Sequence, residues 1–179
     1  MNSSATELLR YPIGKYEWNT EPSKSALELA ISTLNDFPAK LNELVSGLPK
    51  TTLLNRYRPD GWTIAQVIHH LADSHMHSYI RFKYAVLEDT PAIKDYDEVK
   101  WAELPDASND QIDYSLNLIT ALHYRWVVFL KELKGTDLKR TYFHTGNNKH
   151  YPLDVALMIY AWHCEHHLAH IKNALSKGY

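Results

Sequence analysis

Apolar residues recur at helical spacing in four long stretches of the chain. After Glu21-Pro22-Ser23, the set Ala26, Leu27, Ala30, Ile31, Leu34, Phe37, Leu41, Leu44, Val45 and Leu48 keeps steps of three and four, which puts it on one face of a helix. Pro38 falls inside this stretch and predicts a kink or a brief interruption, and Gly47 and Pro49 end it. A second helix is predicted from Thr63, an N-cap residue, to about Leu87, closed by Thr90-Pro91. A third, from about Asn109 to Lys134, carries the stripe Ile112, Leu116, Ile119, Leu122, His123, Trp126, Val127 and Leu130, with Gly135 as its C-terminal signal. The last follows Pro152 and runs from about Leu153 to Ser176.

The connections differ in character. Met1 to Thr20 is mixed, with Pro12 and Gly14 expected to break any helix, and Arg10 to Lys15 reads as an ordered arm or loop. Arg58-Pro59-Asp60-Gly61 is turn chemistry. Thr141 to His144 and His150-Tyr151, separated by Gly146-Asn147-Asn148, predict a small hairpin. Residues 92–108 form a long link between the second and third helices. Four amphipathic helices with one such link predict an all-α four-helix bundle, in a single domain spanning residues 1–179.

Composition narrows the function classes. A chain of 179 residues with 45% hydrophobic and 22% charged residues is of ordinary globular make-up. A net charge of -2 with scattered Lys and Arg argues against a nucleic-acid surface. The single cysteine, Cys164, excludes an internal disulfide and is expected to be a buried small residue. With no signal pattern and no membrane-length apolar run, the expected location is the cytoplasm.

The candidate chemistry lies in the histidines, of which the chain has 11. Four fall in His163-Cys164-Glu165-His166-His167-Leu168-Ala169-His170. At about 100° per residue, His167 lies roughly 50° and His163 roughly 90° from the centre of the apolar stripe of the last helix. His170 is further round and His166 nearly opposite, which predicts a solvated His166. His163 and His167 are four apart, the spacing by which one helix offers two imidazoles to one metal ion. On the second helix His70 flanks the apolar stripe at roughly 100° while His69 points away, which makes His70 the natural third ligand. Asp73 follows on the same side and is the first candidate for a general base, or for an acceptor that holds His70. His77, about 10 Å along the axis from His70, and Glu165 are lesser candidates for the base. Arg81 is a candidate anion contact, and Trp62, Trp101, Trp126 and Trp162 are candidate pocket walls. Three neutral imidazoles with open positions suit Zn2+ or Ni2+ in a site of catalytic type. The Glu-x-x-His pairs of di-iron bundles are not found in the cluster.

At these residues the chain resembles the DinB/YfiT-like superfamily, and its YfiT branch in particular. The resemblance is carried by Arg10 to Lys15, Arg58 to Thr63, Val67 to Met76, Tyr79 to Lys83, Trp101 to Pro105, Tyr160 to His163 and His166 to Ile171. It implies a metal-binding four-helix bundle in which His70, His163 and His167 bind one divalent metal ion per subunit, with water in the remaining positions. It also implies homodimers and a small-molecule substrate. Members are described as metal-dependent hydrolases. Related branches resemble S-transferases acting on low-molecular-weight thiols such as bacillithiol, and a metal-binding stress-response protein without turnover is a further alternative.

Overall fold

The computed structural model describes residues 3–179. Four long helices make the bundle: α2 (Lys24–Val45), α4 (Ile64–Leu87), α6 (Ile112–Glu132) and α7 (Leu153–Lys177). Short helices α1 (Ser3–Arg10), α3 (Lys50–Leu53) and α5 (Glu98–Trp101) lie in the connections. Strands β1 (Ala92–Ile93), β2 (Thr141–His144) and β3 (Lys149–Pro152) complete the chain. The four long helices match the expected bundle. Helix α1 is not expected from the sequence: Pro12 and Gly14 lie beyond its end and do not interrupt it. The predicted hairpin is the antiparallel pair β2–β3, extended by β1, which pairs parallel to β2. Among the described residues no helix is long and apolar enough to cross a membrane.

Local chemistry sets the helix ends. The Ser23 hydroxyl accepts from the Ala26 N–H at 3.2 Å. Thr63 and Gln66 form a reciprocal capping box with both bonds at 3.1 Å, which satisfies two donors that a helix start leaves free. The turn before it has Asp60 at φ 55°, with the Gly61 N–H bonded to the Arg58 carbonyl at 3.0 Å. A Cβ on Gly61 would press on Arg58 and the Tyr57 ring, so a larger residue there forces the Arg58 side chain to shift.

Helix α2 packs on α6 and α7, and α4 packs on the same two, so α2 and α4 stand diagonally. This topology makes α4 and α7 neighbours, and it is from these two that the predicted ligands come. The core has two apolar halves. One gathers Phe37, Leu41, Ile64, Ile68, Leu71, Ile119, Cys164, Leu168 and Ile171. The other gathers Leu34, Tyr79, Phe82, Trp126, Leu153, Leu157 and Tyr160. Between them lie polar side chains of α4, α6 and α7, namely Ser74, His75, Ser78, His123 and His163.

Of the two outcomes expected at Pro38, the interruption does not occur: helix α2 runs through it. Pro38 is buried, and the packing of α2 on two neighbours holds the helix across a position that would break it in isolation. Proline has no N–H, so the Leu34 carbonyl, four residues earlier, has no helical donor from position 38.

Candidate metal centre

His70 from α4 and His163 and His167 from α7 come together at a cleft of about 360 Å³. The Nε2 atoms of His70 and His163 are 3.4 Å apart, and those of His163 and His167 are 3.1 Å apart. The capping box and the Arg58–Gly61 turn bring Trp62 over His70, with ring centroids 4.7 Å apart. Arg10, Tyr11, Arg58, Asp60, Glu98 and Trp162 line the rest of the cleft.

The protonation pattern of the two α7 histidines follows from groups behind them. The His123 Nδ1 lies 2.7 Å from the Leu34 carbonyl, the one that Pro38 leaves without a helical donor. A carbonyl only accepts, so His123 carries its proton on Nδ1 and presents a bare Nε2. His75 Nδ1 is 2.7 Å from that Nε2 and donates to it, which leaves His75 Nε2 bare. His163 Nδ1 is 3.0 Å from His75 Nε2 and donates in turn. The Nε2 of His163 is therefore a lone pair pointing into the cleft.

A second chain does the same for His167. His170 Nε2 lies 3.1 Å from the Arg10 carbonyl and donates to it. Its Nδ1 accepts from His167 Nδ1 at 3.3 Å, and the Nε2 of His167 is left bare. Two lone pairs thus face each other across 3.1 Å. They repel unless a cation lies between them. Nitrogens about 2.0–2.1 Å from one tetrahedral ion stand about 3.3–3.4 Å apart, so the separations of His163 Nε2 from its two neighbours suit a shared divalent metal.

Burial keeps these imidazoles neutral, as metal ligands must be. It pushes His70 down to about 4, helped by His166. It holds His75, His163 and His167 well below the ordinary imidazole value, with neighbouring imidazoles adding to the effect. It takes His123 down to about 4 against the opposing bond to the Leu34 carbonyl, His166 to about 4 and, with help from His166, His170 to about 3. In the metal-free protein this has a measurable consequence. Above about pH 6.5 the imidazoles are neutral folded or unfolded. As pH falls from about 6.5 towards about 4, the unfolded chain takes up protons that the folded one refuses, so stability is lost. Urea unfolding across this window is expected to lose more than about 1.4 kcal/mol per pH unit, the slope of a single proton. A flat profile would contradict neutral burial.

Several sequence-based expectations are corrected. His166 is not solvated: it is buried, stacked on Trp162 at 4.4 Å and faced by Tyr11. His170 is buried too, stacked on Tyr57 at 3.9 Å. Both are covered because α1 and the arm after it pack on that face of α7. His166, His167 and His170 form a second group able to hold a metal, but His170 is committed to the Arg10 carbonyl and to His167. His69 is also buried, bonded to Ser115 Oγ at 2.8 Å and to the Asn109 carbonyl at 3.1 Å.

Asp73 does not reach the cleft. It is not among the residues lining the cleft, no hydrogen bond joins it to His70, and its carboxyl is raised by burial and then by Asp106 of the link before α6. The acids of the cleft are instead Asp60 and Glu98. Glu98, an exposed residue, sits at the mouth, its carboxyl raised from the ordinary value by burial and then by Asp95 and Asp97. Glu165 pairs with Lys40 at 3.1 Å. His77 bonds the Asp73 carbonyl and stacks on Tyr96, away from the centre. Cys164 is fully buried and burial raises its thiol, as expected of a packing residue. Of the four tryptophans, Trp62 and Trp162 wall the cleft, Trp101 lines a neighbouring cavity and Trp126 is core. The supporting residues His75 and His123 were detectable in principle. Each occupies a position on the apolar stripe of its own helix, His75 four residues after Leu71 and His123 four after Ile119.

The fold is a four-helix bundle with histidines of α4 and α7 grouped so that they could hold a metal ion, and residues 33–171 match the DinB superfamily; the chain belongs to it. It is 44% identical over 163 residues to a Bacillus subtilis protein named "Putative metal-dependent hydrolase YfiT", covering 91% of this chain and 92% of the relative. A Bacillus cereus protein also named as a metal-dependent hydrolase is 46% identical over 165 residues, covering 91% and 93%. The solved structure of Bacillus subtilis YfiT superposes with a TM-score of 0.92 at 42% identity, covering 95% of this chain and 97% of that one. That protein is described as "a probable metal-dependent hydrolase with an unusual four-helix bundle topology".

Proposed function

We propose that this chain is a metal-dependent hydrolase that holds one Zn2+ or Ni2+ ion on His70, His163 and His167. The observation that carries this reading is the pair of bare Nε2 lone pairs facing each other at 3.1 Å, each fixed by a hydrogen-bond chain ending on a backbone carbonyl. The names of the relatives support the same class of chemistry.

When bound, such an ion polarises a substrate carbonyl and makes its water acidic near neutral pH. The protein supplies the rest. His75 and His170 hold the rings of His163 and His167 in orientation, so that little reorganisation is needed on binding. Glu98 at the cleft mouth has a raised carboxyl suited to taking a proton from the attacking water and returning it to the leaving group. Arg10 and Arg58 on the cleft wall favour substrates carrying negative charge.

The test is an assay of the metal-loaded protein against esters and amides, with and without a low-molecular-weight thiol and an electrophile. Product mass reads the outcome: addition of water is expected, whereas a thiol adduct would assign the site to S-transfer. Glu98→Gln is expected to lower kcat by about 10²–10⁴-fold while leaving metal content unchanged.

A further inference from the structure

Helix α5 borders two cavities. On one side is the histidine cleft; on the other is a cavity of about 600 Å³ lined by His77, Ile80, Arg81, Ile93, Tyr96 and Trp101 among others. Arg81 follows His70 by eleven residues on α4, about 16 Å along the axis, so this cavity is distinct from the metal centre. A salt-bridged or solvated arginine would be unremarked on a helix. Arg81 is neither. It is only 6% exposed, it makes no ion pair with a described residue, and its Nε is buried without a hydrogen-bond partner.

A guanidinium stays charged at any physiological pH, and a buried charge without a counter-charge is costly. The carboxylates at the cavity make no ion pair with Arg81. Asp95 is exposed, its Oδ1 3.5 Å from His144 Nε2. Asp97 pairs with Lys100 at 2.8 Å and caps α5. The Tyr142 phenol stands beside Arg81, but a neutral phenol cannot balance its charge. Lys94 adds a second positive group to the lining. The walls are flat and aromatic: His77 stacks on Tyr96 at 4.3 Å and meets the Trp101 edge at 5.1 Å.

We propose that this cavity binds a small organic anion, with Arg81 holding its carboxylate or phosphate and the aromatic walls covering its body. The planar fork of a guanidinium matches either group by two parallel hydrogen bonds, and the volume is that of ordinary small-molecule sites.

The experiment titrates the full chain, metal-free and metal-loaded, with benzoate, phenyl phosphate and neutral benzamide. Heat of binding and the Arg81 Nε–Hε resonance are followed together. Saturable binding of benzoate or phenyl phosphate below about 10 mM, with a shift of the Arg81 resonance and no response to benzamide, is expected in both metal states. The tighter anion identifies the headgroup. Arg81→Gln is expected to weaken it by about tenfold or more, and Arg81→Lys by less. The proposal is overturned if neither anion moves the Arg81 resonance, if benzamide binds equally well, or if Arg81→Gln binds unchanged. Should that variant fail to fold, the benzoate–benzamide comparison on the unaltered protein decides alone.

Discussion

Replacing His163 by alanine is expected to abolish stoichiometric retention of a divalent metal. His163 lies between the other two ligands, with its Nε2 3.4 Å from that of His70 and 3.1 Å from that of His167. Without it, two imidazoles on different helices share no common partner, and the remaining pair does not enclose an ion. The effect is best read as linkage, because a ligand that binds only the folded state stabilises it by mass action. Zn2+ at one hundred times its Kd adds about 2.7 kcal/mol. For a domain of this size that raises Tm by about 5–11 °C. The unaltered protein should show this rise and the variant should not, whatever the metal-free Tm of each. A variant that keeps both the metal and the rise in Tm would remove His163 from the centre.

The second large effect is expected from a residue that does not touch the metal. His75 is fully buried and accepts from His163 while donating to His123. Replacing it by alanine leaves the His163 Nδ1 proton without a partner and frees the ring to turn or change tautomer. Groups that orient a ligand from behind typically contribute about 10–100-fold in metal affinity, and that is the loss expected for His75→Ala in competition with a chelator. A cavity in the core would also lower Tm, so stability alone does not separate the roles. Two further readouts do. The visible spectrum of the Co2+-loaded protein should change, because it reports ligand geometry. His75→Gln, whose amide can still accept from His163, should recover part of the affinity. If His75→Ala lowers Tm but leaves both affinity and spectrum intact, His75 is a packing residue only.

Much of this was readable from the chain. The four helices follow from uninterrupted apolar periods, and the convergence of His70, His163 and His167 follows from placing each at the shoulder of its stripe. What periodicity could not show is what covers each helix. His166 looks exposed on α7 alone, and it is buried by an arm whose Arg10 carbonyl also accepts from His170, 160 residues away in sequence. Asp73 shares a side of α4 with His70, yet it does not line the cleft, and Asp106, which helps raise its carboxyl, comes from the long link, whose path no local pattern dictates. Glu98 reaches the cleft from that same link. His75 and His123 fall on apolar stripes, where a histidine reads as one more core position until the neighbouring helices are in place.

Pro38 is where the interests of the fold and of the site part. Measured by helix propensity alone it is a flaw, an obvious position for an engineer seeking a more heat-resistant bundle to repair with alanine or leucine. Yet the donor it lacks is what leaves the Leu34 carbonyl open to His123, and through His75 to His163. A replacement with its own N–H would compete for that carbonyl at the far end of the chain of imidazoles. Stabilising α2 and orienting the metal ligand are therefore opposed at this residue, and the proline marks the side on which this sequence has come down.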